Sequence, residues 1–337
     1  MIHTVNHALE PSNKTATKPT AVLIAGAGWS HVAGLPLTRR LFDDSLPIPA
    51  SKAAQGRFIR VRNAFEAWRQ RATDSDAEIF LATLFDGSGP VPWSWAVEYI
   101  AARLATPIWG DRIAHRSVRY GQRLTVPTYC ETYRSFLREL ATSYQVIGVV
   151  TTNYDILLER TIRERPVRGW PLPGFHYGGL PRPQSAQGLS QPFSARNDRD
   201  RAVPLDGEVP LFKLHGSLNW ERSNQQIQIY QDLRPAFKQG GVAAIVPPTP
   251  EKEPPTWLTP IWEEAEKRLA NASHWIVVGY SLPQYDVAIR ELLARAGYRV
   301  RQVTIFSPSA SETASRWSQV TPNAEIASEP GLNSCVR

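Results

Sequence analysis

Four short segments place side chains able to do chemistry where a strand should end: Gly26-Ala27-Gly28, Thr151-Thr152-Asn153, His215-Gly216-Ser217 and Gly279-Tyr280-Ser281. The glycine turn lets the main chain approach a diphosphate, and the helix expected after it offers free N–H groups to an anion. The same turn also reads as a purely structural bend. It is not the dehydrogenase fingerprint, because the sixth position of GxGxxG is His31. Asn153 follows a buried strand, a costly place for an amide unless its donors and acceptor are used. It reads either as a helix N-cap or as a group that meets a ligand. Asp155, two residues on, suits the positive end of a helix. His215 follows Phe212-Lys213-Leu214 and reads as a core histidine bonded to main chain, or as a proton acceptor near neutral pH. Its position in the same layer as the glycine turn weighs toward the second.

Other chemistries lack their residues. No Cys/His spacing makes a metal site, and GxSxG and GxxxxGK[ST] are both absent. Cys130 and Cys335 cannot supply a disulfide framework, so a reducing cytoplasm is the simplest setting. Glu263-Glu264 reads as part of a solvated helix face.

The elements that must position these groups alternate. Apolar runs at Ala21–Ile24, Val146–Thr152, Trp275–Val278 and Val303–Phe306 read as buried strands, with further strands ending at His215 and spanning Ala243–Val246. Helices are expected through Leu37–Phe42, Ile156–Ile162, Ile261–Leu269 and Ala288–Ala296. Between the first two strands, Val61, Phe65 and Trp68, then Ile79, Phe80 and Leu84, Trp95, Tyr99 and Leu104, and Tyr133, Leu137, Leu140 and Tyr144 keep amphipathic helical spacing. The fold class is therefore α/β, a Rossmann-like parallel sheet with helices on both faces and a helical insertion at about 51–145. Residues 165–210 hold eight of the 28 prolines and six of the 21 glycines, and read as a long irregular excursion rather than a packed element. Residues 1–20 read as a loose arm, 21–320 as one domain, and 321–337 as a weakly patterned tail.

The 337 residues suffice for a large buried core, and 42% apolar with 20% charged residues describes an ordinary globular chain. No apolar run reaches the ~18–20 residues that span a bilayer, and the N-terminus lacks the apolar stretch of a secretory signal. The net charge of +7 favours polyanions only if the basic residues cluster. They do not form runs: the densest stretches, Arg160–Arg168 and Asn197–Arg201, are interrupted by Glu and Asp. A nucleic-acid surface and a solvated or partner-facing basic face both remain open.

Read together, GAGWSHVAGLP (26–36), TTNYDILLE (151–159), KLHGSLNW (213–220), PPT (247–249) and VVGYSLPQYD (277–286) resemble the bacterial SIR2-like branch of the sirtuin superfamily. The resemblance implies NAD as substrate. It places Gly26, Ala27, Gly28 and Ser30 at the phosphates, with Gly34 and Pro36 completing that block. It puts Asn153 at the ribose and its reacting carbon, Asp155 at the nicotinamide amide with Thr152 beside it, and His215 as general base. Gly279, Tyr280 and Ser281 fall near the adenosine half, and Ser307 stands where the family usually has an Asn. Thr152 replaces the family's Gln. The four-cysteine zinc module of the deacetylases does not follow His215, and no acyl-lysine segment is recognisable, which argues against deacetylation.

The chemistry follows from the substrate. Nicotinamide leaves NAD without a general acid, through an oxocarbenium-like state. With no acyl-lysine site, water becomes the nucleophile, held by Asn153, while His215 accepts a proton. The expectation is an NAD glycohydrolase releasing nicotinamide and ADP-ribose, linear or cyclised. The resemblance implies a bacterial defence effector that depletes NAD and stays silent until triggered. It further implies a homo-oligomer with a protein partner such as a HerA-like ATPase, an Argonaute-type protein or another sensor, and no membrane. The alternatives are a non-catalytic NAD or ADP-ribose sensor, or a protein deacylase or ADP-ribosyltransferase.

Overall fold

The computed structural model describes residues 17–42, 52–72, 76–110, 128–163, 175–180, 208–223, 226–229, 243–248 and 253–332. Seven strands form one fully parallel sheet: β1 (Thr20–Ala25), β2 (Gln145–Thr151), β3 (Phe175–Tyr177), β4 (Val209–Lys213), β8 (His274–Val278), β9 (Gln302–Phe306) and β10 (Glu325–Glu329). Their spatial order is β10-β9-β8-β1-β2-β4-β3. Apart from the added edge strand β3, this is a Rossmann-type order. The chain leaves β1 on one side for β2 and returns on the other with β8, so the order reverses at β1.

Burial on both faces explains why the central strands are continuous apolar runs. Along β1, Ala21, Leu23 and Ala25 face one core while Val22 and Ile24 face the other. On β8, Ile276 and Val278 share the first core, and Trp275 and Val277 the second. Helix α7 (Thr259–Asn271) covers β1, β2 and β4, and α8 (Val287–Ala296) and α9 (Ala310–Val320) complete that layer. On the opposite face lie α1 (Ala27–His31), α5 (Thr128–Ser143) and α6 (Leu157–Arg163).

The insertion between β1 and β2 is helical, as its periodicity indicates. Helices α2 (Lys52–Arg69), α3 (Ala77–Phe85) and α4 (Trp93–Gly110) pack about an aromatic cluster. Phe42 stacks on Phe65 at 4.2 Å and on Tyr99 at 5.2 Å, with Phe80 edge-on at 5.6 Å. Aromatic pairs of this kind add about 0.5–1.5 kcal/mol each beyond their burial. Among the described residues, no helix is long and apolar enough to cross a membrane.

Several expectations are corrected. The helix expected through Leu37–Phe42 is a single 3-10 turn, Thr38–Arg40. Leu37 is extended, and α4 captures the carbonyls a longer helix would use: Arg103 Nε donates to Leu41 O at 2.7 Å and Nη2 to Arg40 O at 3.2 Å. The Pro/Gly-rich excursion contains a packed element, because Phe175–Tyr177 pairs with β4 and Phe175 is buried. Residues 165–174 and 181–207 of that excursion lie outside the described residues, as do 1–16 of the expected arm. The strand expected to end at His215 stops at Lys213. There the chain enters a second, antiparallel sheet of β5 (Gly216–Ser223), β6 (Gln226–Ile229) and β7 (Ala243–Ile245), so Ala243–Val246 does not extend the parallel sheet. The expected tail contributes β10, and Leu332 joins the first core, so the domain runs past 320.

Candidate functional site

At the carboxyl end of β1 the glycine turn packs against the turn that ends β8. Gly26 N donates to Val278 O at 3.0 Å, and Gly28 N to Gly279 O at 2.9 Å. A Cβ on Gly28 would lie 2.5 Å from Gly279 Cα, and one on Gly26 would lie 2.6 Å from Tyr280 Cα. Gly279 itself sits at φ +62. The glycines are therefore demanded by close approach of two main-chain turns at the switch point. The structural reading of the turn holds whatever ligand it meets.

Asn153 is not a helix N-cap, since α6 begins only at Leu157. Its Nδ2 donates to Gly26 O at 2.9 Å and to Ser30 Oγ at 3.0 Å, tying the end of β2 to the glycine turn. Both amide hydrogens are spent, which leaves Oδ1 to accept from a water or a ligand hydroxyl. Ser30 Oγ in turn donates to Asp155 Oδ2 at 2.8 Å, and Asp155 Oδ1 accepts from Leu157 N at 2.8 Å. Asp155 thus holds the start of α6, the plain reading of an acid at a helix N-terminus. Beneath this turn, the buried Lys213 donates to the Asp155 carbonyl and pairs with Glu159 Oε1 at 2.8 Å.

His215 occupies the two-residue step between the sheets. Gly216 adopts φ +75, and a Cβ there would meet Ala244 O at 2.0 Å, so only glycine lets the chain turn here. Val246 clamps the histidine from both ends: Val246 N donates to His215 O at 3.0 Å, and His215 Nδ1 lies 2.9 Å from Val246 O. A carbonyl only accepts, so Nδ1 carries the proton and Nε2 is the basic atom. Nε2 is buried without a hydrogen-bond partner, 3.4 Å from Asp286 Oδ2. Asp286 also accepts from Tyr280 OH at 2.8 Å. Burial opposes charging of the imidazole, but Asp286, the Val246 carbonyl and the charge of Glu78 together hold His215 above its ordinary value. Tyr154 places its ring edge-on to His215 and donates to Val246 O at 3.1 Å.

Gly26, Gly28, Ser30, Asn153 and Asp155 thus form one bonded cluster, and Gly279 and Tyr280 connect it to Asp286 and His215. Ala27 and Thr152 lie along the same turns, Thr152 N donating to Ala25 O at 3.4 Å. Gly34 closes the loop after α1 at φ +88, its N donating to His31 O at 2.9 Å, with Pro36 following. Tyr280 is a core side chain whose hydroxyl serves Asp286. Ser281 is exposed and its carbonyl accepts from Arg316 at 3.2 Å, while Ser307 turns its hydroxyl to Ser309 and Thr313, each at 3.4 Å. Sequence reasoning missed two acids. Asp286 closes the VVGYSLPQYD segment and was visible there. Glu78, from the insertion, gave no signal beyond its place after a capping Asp76. Among the described residues, no group of three His, Cys, Asp or Glu is arranged to hold a metal ion.

Residues 147–322, just over half of the chain and including most of β2, Asn153, His215 and β8, match the SIR2-like domain family. The chain belongs to the SIR2-like domain family. A search of curated proteins finds no match. Among solved structures, Sir2Tm bound to a propionylated peptide is 12% identical over 94% of this chain and 91% of that one, with TM-score 0.44. A Sir2 homolog–NAD complex is 14% identical over 95% and 89%, with TM-score 0.40. In this SIR2-like chain the matched segment begins after the helical insertion, so Glu78 and the glycine turn lie outside it.

Proposed function

We propose that this SIR2-like chain is an NAD glycohydrolase that cleaves NAD to nicotinamide and ADP-ribose with Asn153 and His215. The observation that carries this reading is the buried Nε2 of His215, which makes no hydrogen bond and faces Asp286 at 3.4 Å, set in one site with an asparagine whose remaining function is to accept. NAD enters as substrate. The glycine turn, Ser30 and Asp155 line its approach, with Gly34, Pro36, Thr152, Gly279, Tyr280, Ser281 and Ser307 as further contacts.

The step balances without an acid. The C1′–N bond breaks with its electron pair going to the pyridinium nitrogen, so nicotinamide leaves neutral and positive charge passes to the ribose. Asn153 Oδ1 accepts from the attacking water or a ribose hydroxyl and fixes its direction. Nε2 of His215 accepts the proton as the new C–O bond forms, and Asp286 at 3.4 Å stabilises the imidazolium. Val246 keeps the required tautomer by taking the Nδ1 proton in a hydrogen bond.

Asn153 is 7% exposed and His215 4%, so both groups sit within the fold, where water is restricted. We further propose that the chain is a bacterial defence effector that acts within the cell by NAD depletion, silent until a homo-oligomer or a partner protein triggers it.

The test is nicotinamide release with and without an acetyl-lysine peptide, run in 18O-labelled water. Release independent of peptide, with one 18O at C1′ of ADP-ribose, supports water as nucleophile. Release that requires peptide makes the protein a deacylase, and NAD binding without release makes it a sensor.

A further inference from the structure

Pro247-Pro248 follows directly on Val246, the residue that clamps His215. A residue before proline is confined to extended backbone, so Pro247 restricts how Val246 can turn its carbonyl. That carbonyl accepts two bonds, from His215 Nδ1 at 2.9 Å and from Tyr154 OH at 3.1 Å. A carbonyl oxygen has two lone pairs, and here both are engaged. Tyr154 is held at its other end as well. Its own carbonyl accepts from Leu218 N at 2.9 Å and from Ser217 Oγ at 3.4 Å, both on β5. Because Tyr154 lies between Asn153 and Asp155, it joins the turn after β2 to the step that carries His215. Its ring meets the imidazole edge-on, with centroids 6.2 Å apart. Burial pushes the phenol well above its ordinary range, so the hydroxyl remains a donor across neutral pH.

Neutral His215 has one ring proton and two acceptors that compete for it. Val246 O lies 2.9 Å from Nδ1, and Asp286 Oδ2 lies 3.4 Å from Nε2. A carboxylate is the stronger acceptor, and a proton drawn to Nε2 would cost the site its base. Tyr280 OH moderates Asp286 by donating to the same Oδ2 at 2.8 Å. On the other side the contest depends on a carbonyl kept in line with Nδ1. We propose that Tyr154 is a positioning residue whose hydroxyl, acting through Val246 O, keeps the ring proton of His215 on Nδ1 and leaves Nε2 free to accept. Without that hydroxyl the carbonyl can tilt away from the ring, and the proton passes to Nε2, toward Asp286. The consequence for turnover rests on the NAD reading; the position of the proton does not. A hydroxyl that merely satisfied a core carbonyl would change stability and leave the ring proton where it is.

Tyr154→Phe keeps the ring and removes only the donor. Long-range proton–nitrogen NMR correlations of the histidine rings, with His215 assigned from His215→Ala, read the tautomer at a pH where the ring is neutral. Wild type should show Nδ1 protonated and Nε2 bare, and Tyr154→Phe a mixture containing the Nε2–H form. Nicotinamide release from NAD should then fall about three- to tenfold in kcat, the worth of one neutral hydrogen bond, with KM and ADP-ribose affinity unchanged. Adding Asp286→Asn to Tyr154→Phe removes the competing carboxylate, and the proton should return to Nδ1. A Tyr154→Phe protein with the wild-type tautomer overturns the proposal. So does one that loses kcat, ADP-ribose affinity and melting temperature together, which makes Tyr154 structural. Wild type that releases no nicotinamide removes the NAD reading, and the ring signals, which need no nucleotide, still decide the role of Tyr154.

Discussion

Replacing Lys213 by Met should unfold the floor of the site, and the structure gives the size of the effect. Lys213 and Glu159 are both 0% exposed and pair at 2.8 Å. Tyr177 OH donates to the same Glu159 Oε1 at 3.0 Å, while Oε2 has no hydrogen-bond partner. Removing the lysine leaves a carboxylate buried with one hydroxyl as its remaining donor. Breaking a buried pair from one side costs about 3–5 kcal/mol, roughly 4–7 °C in Tm for a chain of this size. Lys213 also donates to the Asp155 carbonyl, so the turn carrying Asn153 should loosen and nucleotide affinity fall with stability. Replacing both residues by Met removes the uncompensated charge. That double variant should return to within about 2 kcal/mol of wild type, the remainder being the lost acceptor of Tyr177. Urea unfolding with m held constant reads all three proteins. A single variant that loses less than about 1 kcal/mol, or a double variant as unstable as the single, would refute the reasoning.

Other consequences are as direct. Gly279→Ala should cost ~3 kcal/mol or more, because its Cβ would meet Gly28 Cα at 2.4 Å from a φ of +62; a denaturation midpoint near wild type would contradict the close packing. The raised His215 contributes stability that is complete below its ordinary 6.5 and lost as pH rises through the folded value. Asp286→Asn should therefore lower the His215 pKa in an NMR titration and flatten the fall in stability above about pH 6.5, and an unchanged titration would remove Asp286 as its partner.

The parallel sheet was legible because its central strands are buried on both faces. Leu23, Val149, Ile276 and their neighbours had to be apolar on every position, and each run ended in a turn residue the ladder could not continue. Helical periodicity likewise exposed the insertion. What escaped was decided by tertiary context. Phe175–Tyr177 is three residues long among prolines and glycines, and no pattern survives at that length. Glu325–Glu329 is an edge strand open to solvent on one side, so its sequence does not read as buried. Ala243–Val246 is apolar enough for either sheet, and the choice depends on the reversal at Gly216. In the site, Asn153 and His215 were legible as polar groups at strand ends. The glycine turn was ambiguous for a sound reason, since Gly279 packs against it whether or not a ligand does. Asp286 was visible in its segment but not its partner, and Glu78 required knowing where α3 docks.

On the proposed function, Asn153 and His215 cleave the glycosidic bond of NAD. Quantifying nicotinamide released from NAD by the purified protein, beside Asn153→Ala and His215→Ala with ADP-ribose affinity as a control of folding, tests it most directly. Wild type should release nicotinamide, both variants should lose at least about 100-fold, and His215→Ala should retain ADP-ribose binding. Release that survives both substitutions, or a wild-type protein that binds NAD and never cleaves it when its oligomeric state and partners are supplied, would contradict it.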